Sequence, residues 1–172
     1  MASLMENLIE VLGEESLEYE SLLELSMKKT PVIVTGNLEE LAKITEEEQL
    51  VVGRINRLDH KRQELYADIA NVINKDVKTL MLTDLISMLE PRPVEQQQLA
   101  KVYDRLKGAV REVERVNGQN RTLIQNALEM VEFEMNIIQS MKTAPETANY
   151  NRGAYNTGSQ MGVDAGGFDA RQ

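Results

Sequence analysis

LEELAKITEEEQLVVGRINRLDHKRQELYADIANVIN, residues 38–74, holds the most regular pattern in the chain. Leu41, Glu48, Ile55, Arg62 and Ile69 form one column of a seven-residue repeat, and Ile44, Val51, Leu58, Leu65 and Val72 form the other. Eight of these ten are apolar and no proline interrupts them, the signature of a long coiled-coil-like helix. At 1.5 Å per residue it would span about 55 Å. Asn37, with Glu40 three positions on, has the spacing that caps a helix start. Glu48 and Arg62 fall in the seam. Either they set the register there at some loss of stability, or a small rotation carries them to solvent.

A helix of that length needs partners, and the segments on either side supply them. Upstream, Ser3 or Asn7 opens a first helix that runs to about Lys29. Leu8, Leu12, Tyr19 and Leu22 make its stripe, with Leu23 beside it, while Glu15 and Ser26 break it. Lys28 and Lys29 suit the carbonyl end of the helix dipole. Thr30-Pro31 argues for a stop, because proline disfavours the helical conformation in the residue before it. Thr35-Gly36-Asn37 then closes a short connection, so the two helices are expected to lie antiparallel.

Downstream, Asn74-Lys75-Asp76 reads as a turn. Leu80, Met81, Leu82, Leu85, Ile86, Met88 and Leu89 follow as a compact apolar cluster. Thr83 is placed to cap a brief helix, TDLISMLE, that Pro91 and Pro93 must end. The expectation is a short element plugging one end of the bundle, with Pro93 in the first turn of the next helix.

That third long helix is expected from about Val94 to Lys142, with Leu99, Val102, Leu106, Val110 and Val113 in its stripe. Asn117, Gly118 and Asn120 form its weakest point, since glycine costs about 1 kcal/mol relative to alanine inside a helix. They are a candidate hinge; packing of Gly118 against a neighbouring backbone is the alternative. Beyond lies LIQNALEMVEFEMNIIQSM, residues 123–141. Leu123, Ala127, Met130, Val131, Ile138 and Met141 line one face, Ile124, Leu128 and Met135 widen it, and Phe133 and Ile137 extend it further round. A bundle helix needs a stripe of roughly 100°. This one has more, so these eleven residues are the candidate docking surface for another protein. The competing readings are a fully buried bundle helix and a homodimer seam. After Thr143 the composition changes: residues 144–172 hold five of the ten glycines and no apolar period, as expected of a disordered tail. Tyr150, Tyr155, Met161 and Phe168 are spaced anchors within it.

Composition agrees with this all-α reading. Aromatics are 4% and tryptophan is absent, which suits a bundle built from Leu, Ile, Val and Met. Without cysteine there are no disulfides, thiolate metal sites or cysteine nucleophiles. The start MASLMENLIE shows no signal-peptide pattern, and no apolar run approaches the roughly 18–20 residues of a membrane span. The net charge of −9 is concentrated early: residues 1–50 hold twelve acidic and three basic side chains, and the remainder balances. No basic stripe is present to neutralise phosphates, so nucleic acid is not an expected partner. The acidic segment would either solvate its helix or steer a basic partner. Catalytic signatures are missing too. His60 is the only histidine, and Arg57 stands where a Glu-x-x-His dimetal motif would need glutamate. No phosphate loop or GxGxxG fingerprint occurs. The expectation is a non-enzyme without metal or cofactor.

Three stretches together resemble the FlgN family of flagellar export chaperones. TGNLEELAKITEEEQLVVGRINRLDHKRQEL is similar to that family's second helix, and MLTDLISMLEPRPVEQQQLAKVYDRL to its connecting helix and the run into the last one. VNGQNRTLIQNALEMVEFEMNII resembles its most recognisable segment, although Gly118 stands where a charged, helix-favouring residue is expected. The likeness covers about residues 5–142. It implies an elongated antiparallel coiled-coil-like bundle of three long helices with a short connecting helix over residues 1–143, followed by the tail, 144–172. It also implies a cytoplasmic bacterial chaperone without membrane insertion. Its clients would be the hook-associated proteins FlgK and FlgL, held at their C-terminal regions and delivered to the export gate FlhA. The matching client-binding region is Leu123 to Met141, and an aromatic near the chain's end, Phe133, Tyr150 or Tyr155, would serve gate docking.

Overall fold

A computed structural model describes residues 2–147, with side-chain surroundings for residues 3–142. Four helices account for it: α1 (Ala2–Thr35), α2 (Leu38–Val72), α3 (Leu82–Met88) and α4 (Pro93–Thr147). No strand occurs among the described residues. The chain divides into two units, Met1–Ile124 and Gln125–Gln172.

In the first unit α1 and α2 form an antiparallel hairpin. Its turn is a close fit of sequence to geometry. Gly36 takes φ +71°, a left-handed conformation that costs an L-residue about 1–2 kcal/mol. With it there, Asn37 N–H donates to the Val32 carbonyl (3.3 Å) and Gly36 N–H to that of Ile33 (3.2 Å). This is the paired closure of a glycine-ended helix. Asn37 then starts α2 by accepting the Glu40 N–H on its side chain at 3.1 Å, as its spacing predicts. α2 closes in the same manner around Asn74 (φ 54°), with Lys75 N–H on the Ala70 carbonyl at 2.9 Å.

The breaks in the two stripes meet one another. Glu15 and Ser26 of α1 are buried, and each faces one of the polar seam residues of α2. Arg62 Nε donates to Glu15 at 3.1 Å and the guanidinium also pairs with Asp59. Glu48 accepts from Lys29 Nζ at 2.8 Å and from the Ser26 hydroxyl at 3.4 Å. Both seam charges therefore point inward and are paired, not turned to solvent. The last seam position differs from expectation: Val72 is exposed, because α2 ends there and Ile69 and Ala70 take the final core places.

The expected stop at Thr30-Pro31 does not occur, and α1 continues through Pro31 to Thr35. Proline removes the N–H that would bond the Met27 carbonyl and costs about 3 kcal/mol in a helix interior. Pro31 and Met27 are both exposed, so water can reach that side of the helix. The turn beyond proline buries Ile33 and packs Val32 on the core. At about 1.5–3 kcal/mol for a fully buried aliphatic side chain, this packing offsets the loss.

At the other end α3 plugs the bundle as expected. Leu80, Leu85 and Leu89 join Met5, Leu8 and Leu12 of α1, Ile69 and Ala70 of α2 and Leu99 of α4 in one buried cluster. The cap of α3 is not Thr83, which lies inside the helix. Met81 occupies the cap position, and its N–H donates to the Asp84 carboxylate at 2.9 Å. Asp84 ties down the first turn from within, so the helix can start two residues earlier. Pro93 is the first residue of α4. The bundle part of α4 runs alongside α1 in the same direction. Leu99 shares a buried cluster with Leu8 and Leu12, Arg105 makes a two-pronged pair with Glu20 (2.7 and 2.8 Å), and Val113 shares a second cluster with Leu22 and Leu25.

Candidate functional site

α4 remains helical through Asn117, Gly118 and Asn120. No neighbour packs against Gly118: a Cβ placed there would meet nothing within 4 Å. Asn117 and Gly118 are exposed, but Asn120 is 3% exposed. Its Nδ2 donates to the Ser26 carbonyl at 2.8 Å, and its Oδ1 accepts from the Thr30 hydroxyl at 2.6 Å. Asn120 thus ties α4 to α1 one turn before Pro31. The sequence marks this asparagine only as a polar break; its partners lie some ninety residues away in the chain.

Of the candidate docking residues, Leu123 and Ile124 are half-buried at the end of the first unit. The others belong to the second unit, and every side chain described there, from Gln125 to Lys142, is exposed. Eight of them are large and apolar: Leu128 61%, Met130 65%, Val131 51%, Phe133 52%, Met135 57%, Ile137 42%, Ile138 52% and Met141 66%. Ala127 is exposed as well. Projected on a helix of 3.6 residues per turn, the apolar residues cover an arc of about 220°. That is twice the stripe a bundle helix needs. The reading of this segment as a fully buried bundle helix therefore does not hold for Gln125–Met141.

Polar residues of the segment occupy the remaining arc, with two exceptions. Glu129, Glu132, Gln125, Asn136, Gln139 and Ser140 lie opposite the apolar face, whereas Asn126 and Glu134 lie within it by the same projection. Between Gln125 and Met141 the charged residues are Glu129, Glu132 and Glu134, all acidic, and Lys142 is the first cation. Such a surface can bind apolar helices that carry positive charge.

Ionisable groups elsewhere are structural. Burial pushes the Glu15 carboxyl above its ordinary 4.5, with Arg62 pulling it back. Burial disfavours the Arg62 cation, but Glu15 and Asp59 outweigh it and hold it charged. Burial likewise lifts the Tyr66 hydroxyl to about 12. These groups serve the α1–α2 seam, distant in sequence from the exposed segment. His60 is exposed on α2. No cluster of three or more His, Cys, Asp or Glu placed to hold a metal ion occurs among the described residues. No helix of the described residues is long and apolar enough to cross a membrane. Tyr150 and Tyr155, the candidates for gate docking, lie outside the described residues, as do Met161, Phe168 and the rest of residues 148–172; Ala144–Thr147 are helical.

Neither a curated protein nor a solved structure gives a match to this chain. A family model described as "FlgN protein" matches residues 1–157. A single heptad stretch would be shared with any coiled coil. A match that runs through the hairpin, the plug helix and the whole of α4 instead places the chain in the FlgN family, the chaperones of flagellar export.

Proposed function

We propose that this chain is a cytoplasmic chaperone that holds the C-terminal regions of the hook-associated proteins FlgK and FlgL. It keeps them from associating prematurely and passes them to the export gate FlhA. The observation that carries this reading is the bare apolar helix, Leu128 to Met141, whose large side chains are 42–66% exposed. An exposed surface of that kind has a use only if something covers it. Amphipathic terminal helices of an unassembled filament protein fit by laying an apolar face along it. Met130, Met135 and Met141 are flexible and polarizable, and so suit two different clients. Covering each large side chain contributes up to about 1.5–3 kcal/mol, enough for a few anchors to outweigh the ordering of a client segment. Tyr150 and Tyr155 remain the proposed contacts for FlhA, and a hinge at Asn117–Asn120 would have to release the Asn120 bonds to move.

The same surface could serve as the seam of a homodimer. Leu128→Asp with Ile138→Asp separates the two readings, because both positions are exposed and neither supports the bundle. In sedimentation at low micromolar concentration the chaperone reading expects an unchanged monomer mass. It also expects loss of binding to purified FlgK or FlgL C-terminal segments. A wild-type dimer that these changes dissociate, with client binding intact, would overturn it.

A further inference from the structure

Three of the eight large apolar side chains on the bare end of α4 are methionines, Met130, Met135 and Met141, and they are 57–66% exposed. The chain has no cysteine, so thioether is the only sulfur it offers an oxidant. A peroxide must reach the sulfur to oxidise it. It can do so at these three positions, whereas Met5 is enclosed in the core and 1% exposed. Met27, Met81 and Met88 of the first unit are exposed as well, but they belong to the bundle and not to this face. The three methionines are also spread out. They span about 16 Å along the helix; in projection Met130 and Met141 stand about 20° apart, with Met135 about 120° further round. A partner's stripe of roughly 100°, laid anywhere on the apolar arc, covers or borders at least one of them. Their chemical state therefore bears on binding whichever part of the arc the partner uses.

We propose that Met130, Met135 and Met141 form a reversible oxidation site through which hydrogen peroxide switches the docking face off. The proposal rests on the client-holding reading above. At each residue the thioether sulfur attacks one peroxide oxygen. An S–O bond forms, the O–O bond breaks, and the second oxygen leaves as water with both peroxide protons. Sulfur is oxidised by two electrons and the peroxide is reduced by two. The product changes the surface from apolar to polar. A sulfoxide oxygen accepts hydrogen bonds, and covering it with an apolar client face strips its water without supplying a donor. The flexible apolar contact that the thioether makes is lost at the same point. None of the three belongs to a buried cluster, so the change falls on binding and leaves the bundle intact. Methionine sulfoxide reductases remove the oxygen, one enzyme for each epimer, and return the face to its apolar state.

The test uses the full chain, treated with hydrogen peroxide and freed of it before an untreated FlgK C-terminal segment is added as probe. Peptide mass mapping should find sulfoxide at Met130, Met135 and Met141 well before Met5, with the circular dichroism spectrum unchanged. By calorimetry the oxidised chain should bind the probe about tenfold more weakly, and the two reductases should restore the original affinity. A variant carrying Met130→Leu, Met135→Leu and Met141→Leu should bind about as tightly as the wild type, because leucine conserves volume and apolar character. It should keep that affinity after peroxide, although Met27, Met81 and Met88 remain oxidisable in it. Unchanged affinity of the oxidised wild type would overturn the switch while client holding stands. An equal loss in the leucine variant would place the effect elsewhere in the chain and overturn it as well. So would a loss that comes with oxidised Met5 and reduced helicity, which is unfolding. An untreated chain that fails to bind the probe would take down both readings. A dimer of the free chain that peroxide dissociates would assign the sensitivity to self-association and overturn its client form.

Discussion

Replacing Asn120 by alanine should loosen α4 from α1 at one point and leave the core otherwise whole. The side chain is 3% exposed and makes two bonds, Nδ2 to the Ser26 carbonyl at 2.8 Å and Oδ1 from the Thr30 hydroxyl at 2.6 Å. A made hydrogen bond contributes about 1 kcal/mol net, and a buried partner left alone costs about 1–3 kcal/mol. The lower end applies here, because the Thr30 hydroxyl already lies 3.4 Å from the Ser26 carbonyl and can turn to it. Two bonds lost then amount to about 2 kcal/mol, from which alanine's better helix propensity removes about 0.5 kcal/mol. The expected loss is about 1.5 kcal/mol, or about 3–6 °C in melting temperature for a chain of this size. Urea unfolding followed by circular dichroism measures it. Thr30→Val in a double-mutant cycle should show a coupling of about 1 kcal/mol. An Asn120→Ala loss under about 0.5 kcal/mol, additive with Thr30→Val, would refute the argument that this pair fastens the two helices.

Two further outcomes concern the α1–α2 seam. Arg62→Ala strands Glu15, whose side chain is 3% exposed, and should cost about 2–3 kcal/mol in urea unfolding. The figure sits below that for a fully enclosed pair because the Arg62 side chain is 34% exposed. Leucine at both positions should recover most of the loss, and failure to recover would show that the pair is needed for packing in the seam. The second outcome is pH dependence. The Glu15 carboxyl is raised by burial, so its stabilising contribution is full below its ordinary 4.5 and is lost as pH rises through the raised value. Glu15→Gln should therefore flatten the fall in stability in that window. Glu20 and Glu112, held low by Arg105 and Arg115, act in the opposite sense, and their contributions are lost as pH falls through values below 4.5. Carbon-detected titration of Glu15 showing a midpoint at or below 4.5 would contradict the first part.

The repeat over residues 38–74 and its caps were readable because each is a short-range rule. A seven-residue period and an asparagine three residues before a glutamate need no knowledge of the rest of the chain. Glu15, Ser26, Glu48 and Arg62 were readable only as flaws in two stripes. That the flaws face one another is a property of the assembled hairpin, and no pattern within either helix encodes it. Pro31 shows a local rule overruled: the residue before proline resists helix, but Ile33 and Val32 have core to reach on the far side. At α3 the threonine was the obvious cap, yet Asp84, reaching back to Met81, secures an earlier start. The surplus of apolar residues after Leu123 was legible because it exceeds what any one face needs.

The central claim is that a client covers the bare end of α4. Methionine methyl spectra of the full chain test it most directly, since Met130, Met135 and Met141 are 57–66% exposed while Met5 is 1% exposed. Added FlgK or FlgL C-terminal segment should shift the methyl signals of Met130, Met135 and Met141 in a saturable manner and leave Met5 in place. Saturation of binding with those three signals unmoved would contradict the account.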